Sequence, residues 1–173
     1  MKIQDDLTKY ISSALNNTLP EKTKIKTRFH LLDAIVSILT GRLLPPGQKG
    51  FNFSKNQGGA EEATLLGNNI KVSAINAAFS NGMAAHANET DDSHTKGRFH
   101  PGCAIIPTTL AIAEKENLTS EEIFKGIALG YDIGVRFTTS LGYKTPKTSI
   151  FATHSIGPIF GSAASAGALL KLT

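Results

Sequence analysis

The stretch NGMAAHANETDDSHTKGRFHPGCAIIP, from Asn81 to Pro107, decides how this chain folds. Small residues such as Ala84 and Ala85 lie on one side of its polar centre, and the apolar run after Pro101 lies on the other. Both flanks have the composition of closely packed helices. The centre carries many acids, bases and hydroxyls: His86, Glu89, Asp91, Asp92, Ser93, His94, Lys96, Arg98 and His100. A cluster of this kind between apolar helices is what proton-transfer chemistry requires.

Helical periodicity continues outward on both sides and predicts an all-α, bundle-like domain. Ser73 is predicted to cap a helix that runs to about Ala87, and Pro101 to open one that reaches about Glu116. Four more helices are predicted, over residues 3–15, 22–40, 120–136 and 148–172. The prolines and glycines of residues 42–60 predict a long loop, and residues 64–72 a small β-hairpin.

The last predicted helix is small and apolar on several faces up to the final residue, Thr173. A helix of that kind is normally buried. We therefore expect residues 1–173 to form an incomplete helical domain, either truncated or awaiting a partner.

Composition places the chain among folded globular proteins, since 40% of its 173 residues are apolar and 18% are charged. The net charge of +4 would draw small anions towards a basic cleft. The basic run Lys22, Lys24, Lys26 and Arg28 has no interleaved aromatic residues, which favours a solvated helix start over nucleic-acid binding.

The single cysteine, Cys103, excludes a disulfide within the chain and a zinc site built from several cysteines. The N-terminal segment lacks the apolar region of a signal peptide, and no apolar run approaches the length of a membrane span. We therefore expect a soluble cytoplasmic protein that binds neither membrane nor nucleic acid.

Two histidines are candidates for acid or base. His100 stands just before Pro101 at a predicted helix start, where free N–H groups and the helix dipole suit a carboxylate ligand. It could equally cap its own helix. His154 precedes many small residues that would leave space for a substrate, or it is a core histidine bonded to a backbone carbonyl.

The other polar residues also have structural alternatives. Asp91, Asp92 and Ser93 could stabilise a turn, or one carboxylate could orient a histidine while the hydroxyl holds substrate. His86 is predicted to be a buried structural histidine that bonds the loop. His94 remains open between a functional and a solvated position, and His30 is predicted on a surface or packing face.

Acids and histidines cluster in this stretch, so a metal site is an alternative interpretation. Glu89, Asp92 and His100 could form an oxygen-rich site, but no two histidines have the i, i+4 spacing of a helical metal site. Cys103 is interpreted as a packing residue rather than a nucleophile. The sequence therefore predicts no metal.

Five blocks, in this order, resemble the MmgE/PrpD family. That family includes 2-methylcitrate dehydratase, cis-aconitate decarboxylase and iminodisuccinate epimerase. The blocks are LLDAIVSILTG at 31–41, GGAEEATLLG at 58–67, the segment 77–107 with its AH, acidic and HP motifs, ALGYDIGVRF at 128–137, and THSIGPIFGSAASAGALLKL at 153–172.

The resemblance implies functions for individual residues. His100 and His154 would be catalytic acid and base, with Asp91 or Asp92 orienting one of them. The implied substrate-binding residues are His86, Glu89, Ser93 and Arg98. Glu89 and Ser93 stand where many members have Asp and Thr, a departure from the dehydratase and decarboxylase pattern that favours the epimerase-like branch.

The resemblance further implies a lyase or isomerase that moves a proton next to a carboxylate of a small di- or tricarboxylate, without a cofactor. Family chains are longer, with a lid domain and catalytic lysines beyond the matching region. We therefore expect this chain to carry half of a site and to work as a homodimer or with a missing C-terminal half. The alternative is an inactive helical module that binds a partner or belongs to a split enzyme.

Overall fold

A computed structural model describes residues 2–142 and 153–172, and these residues are mostly helical. The elements are α1 Lys2–Ser13, a 3-10 helix Ala14–Asn16, α2 Glu21–Gly41, α3 Pro45–Gln57, β1 Ala63–Leu65, β2 Ile70–Val72, α4 Ala74–Ala85, α5 Gly102–Lys115, α6 Ser120–Ser140 and α7 Thr153–Leu169. The predicted class, all-α with one small hairpin, is confirmed. None of the helices in these ranges is long and apolar enough to cross a membrane.

Local capping explains where two of the helices begin. The Ser73 hydroxyl accepts a hydrogen bond from the Asn76 amide at the start of α4, as its sequence position predicts. Thr119 and Glu122 form a reciprocal capping box at the start of α6, so the cap lies one residue before the predicted Ser120.

The prediction of a long loop over residues 42–60 is wrong, because α3 occupies most of it. Pro45 and Pro46 lie in the first turn, where a missing N–H costs no hydrogen bond. The glycines mark close packing rather than a flexible loop. A Cβ on Gly47 would lie 2.3 Å from the Gly41 carbonyl oxygen, and one on Gly50 would lie 3.1 Å from the Met83 side chain.

The hairpin pairs Ala63 with Val72 in antiparallel register and lies against α4 and α5. The Asn81 side chain on α4 accepts from the Leu66 amide at 3.0 Å and donates to the Thr64 carbonyl at 3.0 Å. Glu114 on α5 accepts from the Thr64 amide and hydroxyl. These bonds hold α4 and α5 together, and the polar segment 86–101 connects the same two helices.

Glycines let α6 and α7 pack closely. A Cβ on Gly161 would lie 2.6 Å from the Gly130 carbonyl oxygen, and one on Gly134 would lie 2.8 Å from that of Gly157. α5 also packs against α7, where the buried Thr109 and Ser165 hydroxyls share a 2.7 Å hydrogen bond. The start of α7, which carries His154, is thus fixed against the centre of the domain.

α2 leaves large apolar side chains along one of its faces in solvent. The exposed members are Ile25 at 44%, Phe29 at 67%, Leu32 at 59%, Val36 at 51% and Leu39 at 40%. The helix instead buries Thr27, Ala34, Ser37, Ile38 and Gly41. Periodicity identified an apolar face, but the elements of this domain pack on the neighbouring face.

Candidate active site

The polar segment 86–101 is anchored by one aromatic side chain. Phe99 is 1% exposed, and its ring lies so close to Gly97 and Gly157 that a Cβ on either would come within 2.9 Å of it. The His94 amide donates to the Phe99 carbonyl, and the His94 ring nitrogen Nδ1 accepts from the Gly97 amide at 2.9 Å. His94 therefore stabilises a turn, and Phe99 fixes the position of the next residue, His100.

Asp91 holds two histidines through one buried carboxylate. Its side chain is 0% exposed, and its Oδ1 lies 3.1 Å from His86 Nδ1 and 3.5 Å from His100 Nδ1. The backbone carbonyl of Asp91 lies 3.2 Å from the same His100 nitrogen. A carboxylate or carbonyl at one ring nitrogen fixes the tautomer and orientation of an imidazole. Asp91 therefore orients His100 and directs its other nitrogen, Nε2, away from the carboxylate.

The structure brings three histidines from distant parts of the chain into one row. The ring centroids of His86 and His100 are 4.9 Å apart, and those of His100 and His154 are 5.8 Å apart in a stacked arrangement. The predicted proximity of His100 and His154 is confirmed. His154 is exposed, so it is not the core histidine of the alternative interpretation. His86 bonds the loop as predicted, but its side chain is 42% exposed rather than buried.

Asp92 belongs to a different network from the three histidines, which corrects its predicted place in their cluster. Its carboxylate accepts from the Gly102 amide at 2.8 Å and from the Tyr131 hydroxyl at 2.8 Å. Its Oδ2 lies 2.7 Å from His30 Nδ1, and the rings of His30 and Tyr131 are 4.8 Å apart. His30, predicted on a surface or packing face, packs against Tyr131 and also pairs with Asp92.

The same hydrogen bonds set the ionisation of this network. Burial opposes a charge on Asp92, but hydrogen bonds from His30, Tyr131 and Gly102 outweigh it and hold its pKa below the usual range. Burial and the Asp92 charge raise the pKa of Tyr131, so its hydroxyl remains a donor. Asp33 joins the network by accepting from the Asp92 amide at 3.0 Å.

This network also involves the N-terminus of α5, whose role in binding substrate stays a prediction. The first amide of α5, that of Gly102, already donates to Asp92, so an internal carboxylate takes the helix start. Sequence reasoning missed His30, Asp33 and Tyr131 as partners of Asp92. Asp33 and Tyr131 do lie in the blocks LLDAIVSILTG and ALGYDIGVRF, but the sequence of these blocks does not indicate which residue either side chain contacts.

Glu89, Ser93 and Arg98 are exposed. Glu89 and Arg98 adopt left-handed backbone angles, with φ of 53° and 52°. The Arg98 carbonyl accepts from the Thr153 hydroxyl at 2.6 Å, which ties the start of α7 to the polar segment. Their roles in substrate binding stay predictions.

A cleft of about 480 Å³ opens on the Asp92 side of the segment, between α2 and α6. Lys22 and Lys26 on α2 line the cleft, and so do Ser93 and His94 on the polar segment. Its floor includes the apolar side chains of Pro101, Ile127 and Val135. The segment thus presents Ser93 and Asp92 to this cleft, while Asp91 faces the histidine row.

The possible metal ligands considered from the sequence, Glu89, Asp92 and His100, are not the residues that the fold brings together. Asp92 is engaged by His30, Tyr131 and Gly102. Within the described ranges, the donor atoms that come together belong to His86, Asp91 and Cys103, all within 4.8 Å of one another. Burial and the Asp91 charge raise the pKa of the Cys103 thiol to about 12, so this sulfur is protonated near neutral pH.

Sequence comparison agrees with the motif blocks. Residues 5–173 match the family model of the MmgE/PrpD N-terminal domain. This chain belongs to the MmgE/PrpD family. The resemblance inferred from the five motif blocks is thereby confirmed, and the histidine row lies within the matched part of this MmgE/PrpD chain.

A curated relative is the cis-aconitate decarboxylase-like protein oryM of Aspergillus oryzae, which is 25% identical over 174 residues. The alignment covers 96% of this chain and 36% of that protein. This MmgE/PrpD chain therefore spans about a third of the length of the relative it matches.

Proposed function

We propose that this chain supplies the histidine part of a lyase or isomerase site that moves a proton next to a carboxylate of a small di- or tricarboxylate. One observation carries the proposal. His100 lies between a buried carboxylate, Asp91, and a second exposed histidine, His154, in a chain of the MmgE/PrpD family. Dehydration and epimerisation remove a proton from a carbon beside a carboxylate, and decarboxylation delivers a proton to carbon as CO2 leaves.

The proposed chemistry needs one base and one acid close together. Asp91 orients His100 through its Nδ1, which leaves Nε2 for the substrate. His154, at 5.8 Å between ring centroids, is close enough for one small substrate to contact both rings. In dehydration or epimerisation one imidazole takes the proton from the carbon beside the carboxylate, and the other delivers a proton to the leaving hydroxyl or to the opposite face of that carbon. In decarboxylation the C–C bond to CO2 breaks, and a protonated imidazole delivers a proton to the carbon that receives the electron pair.

We further propose that Glu89, Arg98 and His86 bind the substrate around this pair, and that Ser93 binds it from the cleft on the Asp92 side of the segment. The name of the A. oryzae relative favours a decarboxylase-like reaction on cis-aconitate. Glu89 and Ser93, which replace the more common Asp and Thr, favour an epimerase-like one. Delivery of a proton to carbon is common to both, and it is the part of the proposal that the histidine row supports.

The proposed site is completed by groups outside these residues, from a C-terminal half or a second copy of the chain. Two observations support this. The chain spans 36% of its relative, and His154 and the His86 side chain are open to solvent. Catalytic electrostatics are strongest where water is excluded, so an open row of histidines is a weak catalyst by itself.

The first experiment is an NMR titration of the purified chain with cis-aconitate, following the imidazole C–H resonances of all five histidines. We expect the resonances of His86, His100 and His154 to shift, and those of His30 and His94 to stay. His100→Gln should weaken binding about tenfold or more, because a substrate hydrogen bond to a charged partner is lost. His94→Gln is the matched control.

Turnover provides the second test. The chain alone should convert little cis-aconitate, 2-methylcitrate or iminodisuccinate. Robust turnover that His100→Ala abolishes would show that residues 1–173 suffice and would overturn the half-site proposal. A titration in which no histidine of the row responds would contradict the proposed function itself.

A non-catalytic function is favoured by one specific observation, the exposed apolar face of α2. An inactive helical module would use this face to bind a partner, and its histidines would not bind small carboxylates. The titration above distinguishes the two functions, since only the enzymatic one predicts shifts confined to the histidine row.

A further inference from the structure

We propose that His86, Asp91 and Cys103 form a binding site for Zn²⁺, which would act as an inhibitor rather than a cofactor. An imidazole nitrogen, a carboxylate oxygen and the Cys103 sulfur all lie within 4.8 Å of one another. They come from the end of α4, the polar segment and the first turn of α5. Three unlike donors converge here although they are up to 17 residues apart along the chain.

The spacing of these atoms suits a four-coordinate ion. Zinc bonds of about 2.0–2.3 Å place neighbouring ligand atoms about 3.3–3.8 Å apart in a tetrahedral site. His86 Nδ1 and Asp91 Oδ1 are already 3.1 Å apart. Closing the remaining contacts therefore requires movements of about 1 Å, which an exposed histidine side chain can supply.

Charge also favours a cation at this position. The Asp91 side chain is fully buried, and its ion pairs in the described residues are with His86 and His100 rather than with a lysine or arginine. A buried carboxylate is costly unless a positive charge compensates it. A divalent ion provides that compensation whether or not either histidine is protonated.

The donor set selects the kind of ion. Imidazole, carboxylate and thiolate together suit zinc, whereas magnesium and calcium prefer oxygen ligands alone. His100 is placed to complete the site, because its Nδ1 lies 3.5 Å from the same Asp91 oxygen, and a water is the other possible fourth ligand. The 42% exposure of the His86 side chain gives the ion access from solvent.

Binding replaces one proton. The Cys103 sulfur donates to the His100 carbonyl at 3.2 Å in the metal-free chain. The ion takes the place of that proton, forms a metal–thiolate bond, and the proton passes to solvent. The ion would inhibit because it occupies the Asp91 carboxylate and places a positive charge beside His100. The binding itself does not depend on the proposed enzymatic function and is measured without substrate.

Cobalt(II) is the probe, since it replaces zinc and reports its ligands by absorption. With tag-free chain we expect one Co²⁺ per chain, the strong visible bands of a four-coordinate ion, and a near-ultraviolet thiolate-to-cobalt band. The chain has one cysteine, so that last band can arise only from Cys103. Equimolar Zn²⁺ should remove both signals.

Three variants and a matched control make the test decisive. Cys103→Ala and Cys103→Ser should both lose the near-ultraviolet band, and His86→Gln should weaken cobalt binding about 10–100-fold. His94→Gln, a histidine on the same segment but outside the group, should keep the full spectrum. Circular dichroism confirms that each variant is folded. Folded wild-type chain without the thiolate band, or a spectrum that His86→Gln leaves unchanged, would overturn the proposal.

Discussion

At the scale of single residues, two adjacent acids serve opposite sides of one segment. Asp91 faces the histidine row, whereas Asp92 connects α2, the start of α5 and α6 through His30, Gly102 and Tyr131. The two adjacent carboxylates thus have different partners, so this pair of acids can separate chemistry from structure. We infer that Asp91 is the functional acid and Asp92 the structural one.

Asp92→Asn should destabilise the fold by about 1–3 kcal/mol at pH 7, because hydrogen bonds to a charged acceptor become neutral ones. The pKa of Asp92 is lower in the folded than in the unfolded chain. Its contribution is therefore full above the unfolded value of about 3.9 and is lost as pH falls through the folded value. Urea unfolding from pH 7 to pH 3 measures this. A difference between variant and wild type that grows on acidification would contradict it.

Cys103 should react slowly with iodoacetamide in the folded chain. Burial and the Asp91 charge raise the pKa of its thiol to about 12, so at pH 8 it has about 10³-fold less thiolate than an ordinary cysteine. Mass spectrometry follows the alkylation, and the chain in urea provides the control, where reaction should be fast. Equal alkylation rates in the folded chain and in urea would contradict this prediction and favour Cys103 as a nucleophile.

At the scale of secondary-structure elements, glycines decide how closely the helices pack. Gly41 lies so close to α4 that a Cβ would come 1.9 Å from the Ala84 carbonyl oxygen. Gly130 and Gly161 create a similar approach between α6 and α7. At these positions glycine allows two helices to contact each other closely. That contact offsets the conformational entropy that a glycine in a helix loses on folding.

Gly161→Ala should destabilise the domain by about 1–3 kcal/mol, because the new methyl group would lie 2.6 Å from the Gly130 carbonyl oxygen. Gly167 provides the matched control on the same helix, since a Cβ there meets nothing within 4 Å. Gly167→Ala should leave stability unchanged or raise it by up to about 1 kcal/mol. Thermal unfolding of both variants measures the contrast, and equal melting temperatures would refute it.

At the scale of the whole molecule, the most prominent feature is the apolar face that α2 presents to solvent. Phe29 is 67% exposed and Leu32 is 59% exposed, and they continue a row along the helix. Contiguous apolar surface of this kind on a folded chain marks a contact with another protein surface.

The purified chain is expected to self-associate with increasing concentration through this face. Replacing Phe29 and Leu32 together by Glu should shift the chain towards monomer, with little effect on stability because both side chains are exposed. Ile3→Glu on α1, where the side chain is 84% exposed but off this face, is the control. Sedimentation velocity gives the result, and equal association of all three proteins would exclude α2 as the contact.

The sequence by itself determined the helical class, the hairpin and most helix starts, because these depend on local patterns. The Ser73 cap and the helix start after Pro101 are readable from a few neighbouring residues. The motif blocks also determined family membership, and through it the pairing of His100 with His154.

Only the tertiary structure decided which partner each polar side chain meets. His30 and Asp92 are 62 residues apart in sequence, and no periodicity relates them. The same holds for Asp91 with Cys103, for α3 in a proline- and glycine-rich stretch, and for the exposed face of α2. A sequence pattern shows which face of a helix is apolar or polar, but contacts between distant segments arise only when the helices pack.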